Sequence, residues 1–276
     1  MRQHPLGLVG LAVTLMLASL MVAYGMGKAT KQVLVSYDIS SPITLHEPVI
    51  VQFSMNNRLD EKIKFDLGHN RKSNFLIKVT KPDGSIVNVP PLPAEDVGAI
   101  GRVSLEPLQT FSQRLLLNEW YDFSAPGDYQ IEIRLKTPIR TKSGLTVKSS
   151  TTKQLSLQVH LRNEQMLKQE CDKLIKAVAQ SSSYSEVADA ATALSYIKDP
   201  VVVPYLKTVL AADKRLNVIA IDGLRRVGTD DALEEIISAA QSQNHETAAY
   251  AKGVLSRMKG SVQNPVLKEK IRNLLP

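Results

Sequence analysis

Five histidines, His4, His46, His69, His160 and His245, are the side chains best able to ligate a metal or shuttle a proton near neutral pH. No two of them share the short separation that a zinc-type ligand pair requires. The densest polar stretch, Asp66-Leu67-Gly68-His69-Asn70-Arg71, holds a carboxylate, an imidazole and a guanidinium. Those groups could support acid–base or metal chemistry, but the stretch sits between two strand-like runs, where an ordinary polar loop is expected. Glu95-Asp96 pairs two carboxylates on a Pro-rich segment, and adjacent carboxylates there are weak grounds for acid–base catalysis. Arg225-Arg226 could meet an anion, yet at helical spacing a solvated face is the expectation. Gly98-Ala99-Ile100-Gly101 lacks the spacing that cradles phosphate. No nucleophile elbow, Walker sequence, dinucleotide fingerprint or calcium loop occurs. The single cysteine, Cys171, stands among apolar residues at helical spacing and reads as a core thiol. The expectation is a protein that is not an enzyme, with no catalytic residues, no metal and no cofactor.

The elements around these residues fall into distinct regions. After Arg2 and His4, residues 6–27 form an apolar run without a charge, ended by Lys28. A run of this kind at the N-terminus is a signal peptide or a membrane anchor, so residues 1–27 are assigned to export or tethering. Ala23-Tyr24-Gly25 offers small residues for cleavage, whereas the length of the run favours retention as an inner-membrane anchor. Everything after Lys28 then lies on one side of the membrane, in a periplasmic or extracellular location. The net charge of +7 is spread along the chain with bases and acids interspersed, which argues against a nucleic-acid partner.

Residues 28–160 carry a period of two. Val33, Val35, Tyr37 and Ile39 alternate with polar or outward positions, as do Val49, Val51, Phe53 and Met55, then Ile63, Phe65 and Leu67, then Phe75, Ile77 and Val79. Lys81-Pro82-Asp83-Gly84 is a tight turn that leads into Ile86–Val89. Residues 90–103 open on Pro90-Pro91-Leu92-Pro93, which cannot continue a central strand, and read as a loop. Leu115-Leu116-Leu117-Asn118-Glu119-Trp120-Tyr121 followed by Pro126-Gly127-Asp128-Tyr129 resembles the E-to-F crossing of immunoglobulin-like sandwiches. That resemblance implies a tyrosine corner at Tyr129. It implies a fold and no particular function.

The period changes after His160. Leu167, Cys171, Leu174, Ile175 and Val178 make one helical stripe, so residues 161–183 read as a connecting or capping helix. Ser183 and Glu186 have capping-box spacing for the next helix. Across residues 184–276 an internal repeat appears with an offset of 30 residues, matching Leu194 to Leu224, Ile197 to Val227, Val203 to Leu233 and Leu206 to Ile236. A stretched third copy carries Leu255, Met258, Pro265 and Ile271. Asp199, and Thr229 or Asp230, are placed to cap the second helix of their units. This pattern, with Asp-Pro-x-x-Val-Pro-x-Leu at 199–206, resembles short HEAT-like repeats of the kind found in many bacterial proteins. The resemblance implies a concave face, lined by second helices, that binds a protein partner. By the repeat offset, Tyr205 and Glu235 are equivalent, as are Thr208 and Ser238. All four point away from the apolar stripes and are the candidate partner-binding residues.

The fold class expected is therefore multidomain all-β plus all-α, an immunoglobulin-like β-sandwich followed by a HEAT-like helical array. The function expected is an exported or membrane-tethered scaffold of the cell envelope. The alternative is an inhibitor or regulator of an envelope protease that presents the 90–103 loop.

Overall fold

A computed structural model describes residues 32–68, 72–91, 101–147 and 151–275. The export segment, His69, Asn70 and Arg71 of the polar cluster, and Glu95-Asp96 lie outside the described residues.

Eleven strands occur among the described residues: β1 (Val33–Ile39), β2 (Ile43–Thr44), β3 (Ile50–Asn57), β4 (Ile63–Asp66), β5 (Phe75–Thr80), β6 (Ile86–Val89), β7 (Arg102–Leu105), β8 (Thr110–Leu116), β9 (Gly127–Leu135), β10 (Arg140–Thr141) and β11 (Thr152–His160). They form sheets ordered β1-β3-β8, β10-β4-β7 and β2-β11-β9-β5-β6. Strand β2 runs parallel to β11, and the other pairs are antiparallel. The period of two is literal in β3, where Val51, Phe53, Met55 and Asn57 are buried and the residues between them are only half-buried. Phe53 sits at the centre of the sandwich, its ring 5.2 Å from those of both Tyr37 and Phe75. Burying such a side chain contributes about 1.5–3 kcal/mol, so the alternation itself drives the β1-β3-β8 sheet onto the five-stranded one.

The tyrosine corner is present. Tyr129 is 1% exposed, and its hydroxyl donates to the Ala125 carbonyl at 2.8 Å. Tyr129→Phe keeps the ring and strands that carbonyl, so a loss of about 1 kcal/mol is expected by urea denaturation. A loss below the error of the measurement would mean that water replaces the hydroxyl without cost. One expectation needs correction. The loop assigned to residues 90–103 ends earlier, because Arg102 and Val103 already pair with Asp66 and Phe65 in β7.

Seven helices follow: α1 (Glu164–Gln180), α2 (Tyr184–Ser195), α3 (Val203–Ala212), α4 (Asn217–Val227), α5 (Asp230–Ala240), α6 (His245–Met258) and α7 (Pro265–Leu274). They pack in two layers, α1 on α3 on α5 on α7 and α2 on α4 on α6. Of the four pairs matched by the 30-residue offset, three are buried at both positions, and in the fourth Ile197 is buried while Val227 is half-buried. Leu194 and Leu224 are fully buried, as are Leu206 and Ile236. Asp199 accepts from the Val201 amide at 3.1 Å and Thr229 from the Ala232 amide at 3.4 Å, each at the head of its second helix. Ser183, by contrast, makes no side-chain cap. Ser181 takes that place: its hydroxyl donates to Glu186 Oε2 at 2.7 Å and accepts from the Ser183 amide at 3.1 Å. Ser183 still heads the helix through its carbonyl, which accepts the Val187 amide at 3.1 Å.

Cys171 is fully buried, and burial pushes its thiol up to about 12, which suits a core residue and not a nucleophile. Sandwich and helices share an apolar seam in which Leu116 belongs to the helical core and Ile50 packs against it. Thr44 ties the same junction. Its hydroxyl donates to the Leu161 carbonyl at 2.8 Å and accepts from the Asn163 amide at 2.8 Å. No described helix is long and apolar enough to cross a membrane.

Candidate functional site: a groove along helices α3, α5 and α7

Three helices of one layer leave a groove of about 620 Å³ between them. Lys207 comes from α3, Glu234, Glu235 and Ser238 from α5, and Lys270 and Asn273 from α7. The helical period explains the set. On α5 the buried stripe is Ala232, Leu233, Ile236, Ile237, Ala239 and Ala240, which leaves 234, 235 and 238 on the opposite face. Two ion pairs reach from α5 to its neighbours, Lys207 Nζ to Glu235 Oε1 at 2.6 Å and Lys270 Nζ to Glu234 Oε1 at 3.3 Å. Every charge in the groove is thus answered within it. Ile237 and Leu274 supply an apolar floor. Such a surface offers fixed donors and acceptors beside a small apolar strip.

The four residues expected to bind a partner divide. Glu235 and Ser238 line the groove. Tyr205 does not: its hydroxyl donates to Asp172 Oδ1 on α1 at 2.8 Å, and burial, with help from that carboxylate, pushes the phenol up to about 12. Tyr205 therefore fastens α3 to α1. Thr208 folds its hydroxyl back onto the Pro204 carbonyl of its own helix at 3.0 Å and stays on the surface outside the groove. Lys207, Glu234, Lys270 and Asn273 were not singled out by sequence. Lys207 and Glu234 are chain neighbours of residues that were. Lys270 and Asn273 belong to the stretched third copy, where the repeat offset no longer marks equivalent positions.

No cluster of three or more His, Cys, Asp or Glu able to hold a metal occurs among the described residues. The described part of the Asp66–Arg71 stretch is the end of β4 and the loop that leaves it. The Gly68 amide donates to Asp66 Oδ1 at 2.8 Å, and the backbone of Gly68 has a φ of 77°, a conformation that favours glycine.

Residues 37–160 are similar to a known family. They match the family model described as flagellar collar protein C, N-terminal domain. The match covers most of the sandwich and ends where the helices begin. No curated protein matches the chain in sequence. Among solved structures, the CARDB domain of a Pyrococcus furiosus protein in complex with di-metal ions is 9% identical. The likeness covers 47% of this chain and 88% of that one with a TM-score of 0.26. The seventh PapD-like domain of human CEP192 is 14% identical and covers 50% and 93%, with a TM-score of 0.28. An Escherichia coli alpha-2-macroglobulin structure, from domain MG7 to the C-terminus, is 11% identical with a TM-score of 0.28. It covers 90% of this chain, which spans half of that one. Likenesses at these scores carry no argument, and the sandwich assignment rests on the sheets and the tyrosine corner.

Proposed function

We propose that this chain is a non-enzymatic scaffold of the cell envelope, related to flagellar collar components, that docks a protein partner in the groove along α3, α5 and α7. The observation that carries the reading is the similarity of residues 37–160 to the collar protein's N-terminal domain. The groove supports it, since its ion pairs hold Lys207, Glu234, Glu235 and Lys270 in place before any partner arrives. We read the helical part as a short HEAT-like array, on the strength of the 30-residue offset and the two-layer packing. The apolar run at 6–27 supports an exported or inner-membrane-tethered location.

The test is photo-crosslinking in living flagellated cells that carry the protein, with a photoreactive residue in place of Ser238 and, as control, in place of Ser181. Crosslinks from position 238 alone to a component at the base of the flagellum are expected. Glu235→Lys opposes Lys207 with a like charge, and the crosslink yield should fall about tenfold or more. Equal crosslinking from both positions, or flagellar bases that image identically with and without the protein, would sink the reading.

A further inference from the structure

The sheet β10-β4-β7 has a charged outer face unlike the groove. Lys64, Arg102, Arg140 and Lys142 are exposed and border a concavity of about 600 Å³. Among the described residues none of the four is in an ion pair. Lys64 and Arg140 are direct cross-strand partners, an arrangement in which like charges repel. Lysines on edge strands commonly guard against unwanted pairing, but Lys64 is on the central strand of this sheet, where no such guard is needed. Asp66, the cross-strand partner of Arg102, is the one acid bordering this concavity, so four bases face a single carboxylate. A face that keeps such a positive excess around a central strand is complementary to an anionic surface.

Two turns flank the start of β4, and each ends in an exposed leucine. Leu108, 81% exposed, donates its amide to the Asn57 carbonyl at 2.7 Å. Leu145, 67% exposed, closes the hairpin whose Lys142 amide donates to the Lys62 carbonyl at 2.8 Å. Leu108 has a φ of 67°, a left-handed conformation that glycine or asparagine adopts more readily than leucine. An apolar side chain presented to solvent at a conformational cost is suited to an apolar contact outside the chain.

The chain enters at the same place. Val33 pairs with Asn57, and the Arg58 amide donates to the Gln32 carbonyl at 3.2 Å. Five residues, 28–32, separate this point from the apolar run at 6–27. Fully extended they reach roughly 18 Å. If residues 6–27 anchor the protein, this end of the sandwich stays within roughly 18 Å of the bilayer surface, in reach of contact but not held in it.

We propose that the β10-β4-β7 face rests on an anionic bilayer, with Lys64, Arg102, Arg140 and Lys142 against lipid phosphates and Leu108 and Leu145 in the head-group layer. The orientation, though not the lipid contact itself, rests on the anchor reading of residues 6–27.

The full-length chain carrying Leu145→Cys is labelled with a fluorophore; Cys171 is fully buried and stays unlabelled. It is combined with phosphatidylcholine vesicles, with or without phosphatidylglycerol, that contain a lipid-borne quencher. Quenching is expected on the anionic vesicles, reversed by high salt and absent from a second probe at Ser261→Cys on the helices. Each basic residue at an anionic surface strengthens binding about fivefold, so Lys64→Gln with Arg140→Gln should weaken the contact about 25-fold and return quenching to the neutral-vesicle level. Flotation on neutral vesicles reports the anchor separately. A chain that floats on both lipids but is quenched equally on both, or equally in the double variant, overturns the face and leaves the anchor standing. A chain that floats only on anionic vesicles overturns the anchor and upholds the face. A chain that floats on neither overturns both.

Discussion

Asp199→Ala should cost roughly 3 kcal/mol of folding stability, measured by urea denaturation followed through the helical circular dichroism signal. The Asp199 side chain is only 2% exposed, and two obligations converge on it. Its Oδ1 caps the turn Pro200–Val202 by accepting the Val201 amide, and both oxygens accept the Arg162 guanidinium, at 2.5 Å from Nε and 3.1 Å from Nη2. Arg162 lies just past β11, so this carboxylate joins the end of the sandwich to the head of α3. Truncation removes the cap and the tie together. Because Arg162 is partly exposed it can turn to water, which keeps the expected loss near the low end for a buried pair. Burial raises the Asp199 carboxyl, but the Arg162 hydrogen bonds, the Val201 amide and the Arg162 charge outweigh it and hold the group below the usual carboxylate value. With the folded value depressed, the stabilisation is present above the unfolded value of about 3.9 and is lost as pH falls through the folded one. The gap between wild type and Asp199→Ala should therefore hold from neutral pH to about 4 and narrow below it. A gap that is already small at pH 7 would show that Arg162 and Asp199 are each solvated independently.

The same residues show what a sequence can and cannot disclose. The strands around Phe53, Ile77 and Ile131 were legible because a half-buried sheet repeats every second residue, and their register follows from that alternation. Tyr129 was legible because Pro-Gly fixes the turn before it. Strands β2 and β10 were not, since two residues carry no period. Asp199 was read as a helix cap from its place before Pro200. Its second role needs Arg162, 37 positions away, and no local pattern reports such a contact. The groove was half legible for a related reason. A repeat offset gives the face of a helix but not what packs on it, so Glu235 and Ser238 fall in the groove while Tyr205 is claimed by Asp172. In the sandwich, the charges of Lys64 and Arg140 are plain in the sequence. That they stand directly opposite each other depends on a pairing between β4 and β10 that spans most of the sandwich.

Two neighbouring substitutions at the end of the sandwich should move stability in opposite directions. Asn57 sits where the alternation of β3 calls for an apolar residue, and it is fully buried. Its Nδ2 donates to the carbonyls of Glu61, Leu105 and Glu106 at 2.9, 3.1 and 3.1 Å, and its Oδ1 accepts the Leu59 amide at 3.1 Å. One amide thereby satisfies the backbone of the β3–β4 connection and of the turn after β7, and Asn57→Ala should cost about 3 kcal/mol because it leaves the buried Leu105 carbonyl and its neighbours without that donor. Leu108, whose amide is held by the Asn57 carbonyl, has the left-handed backbone that asparagine tolerates. Leu108→Asn should therefore raise stability by about 0.5–1 kcal/mol. Thermal melts of the two variants separate the possibilities. If Leu108→Asn destabilises, the leucine serves the fold through contacts within the chain and its exposure has no outside purpose. If it stabilises while quenching on anionic vesicles falls, the leucine is retained at the expense of the fold for a contact beyond it. That result would also explain why Asn57 is built so rigidly beneath it: a side chain that must enter a head-group layer needs a turn that does not yield when it is pressed.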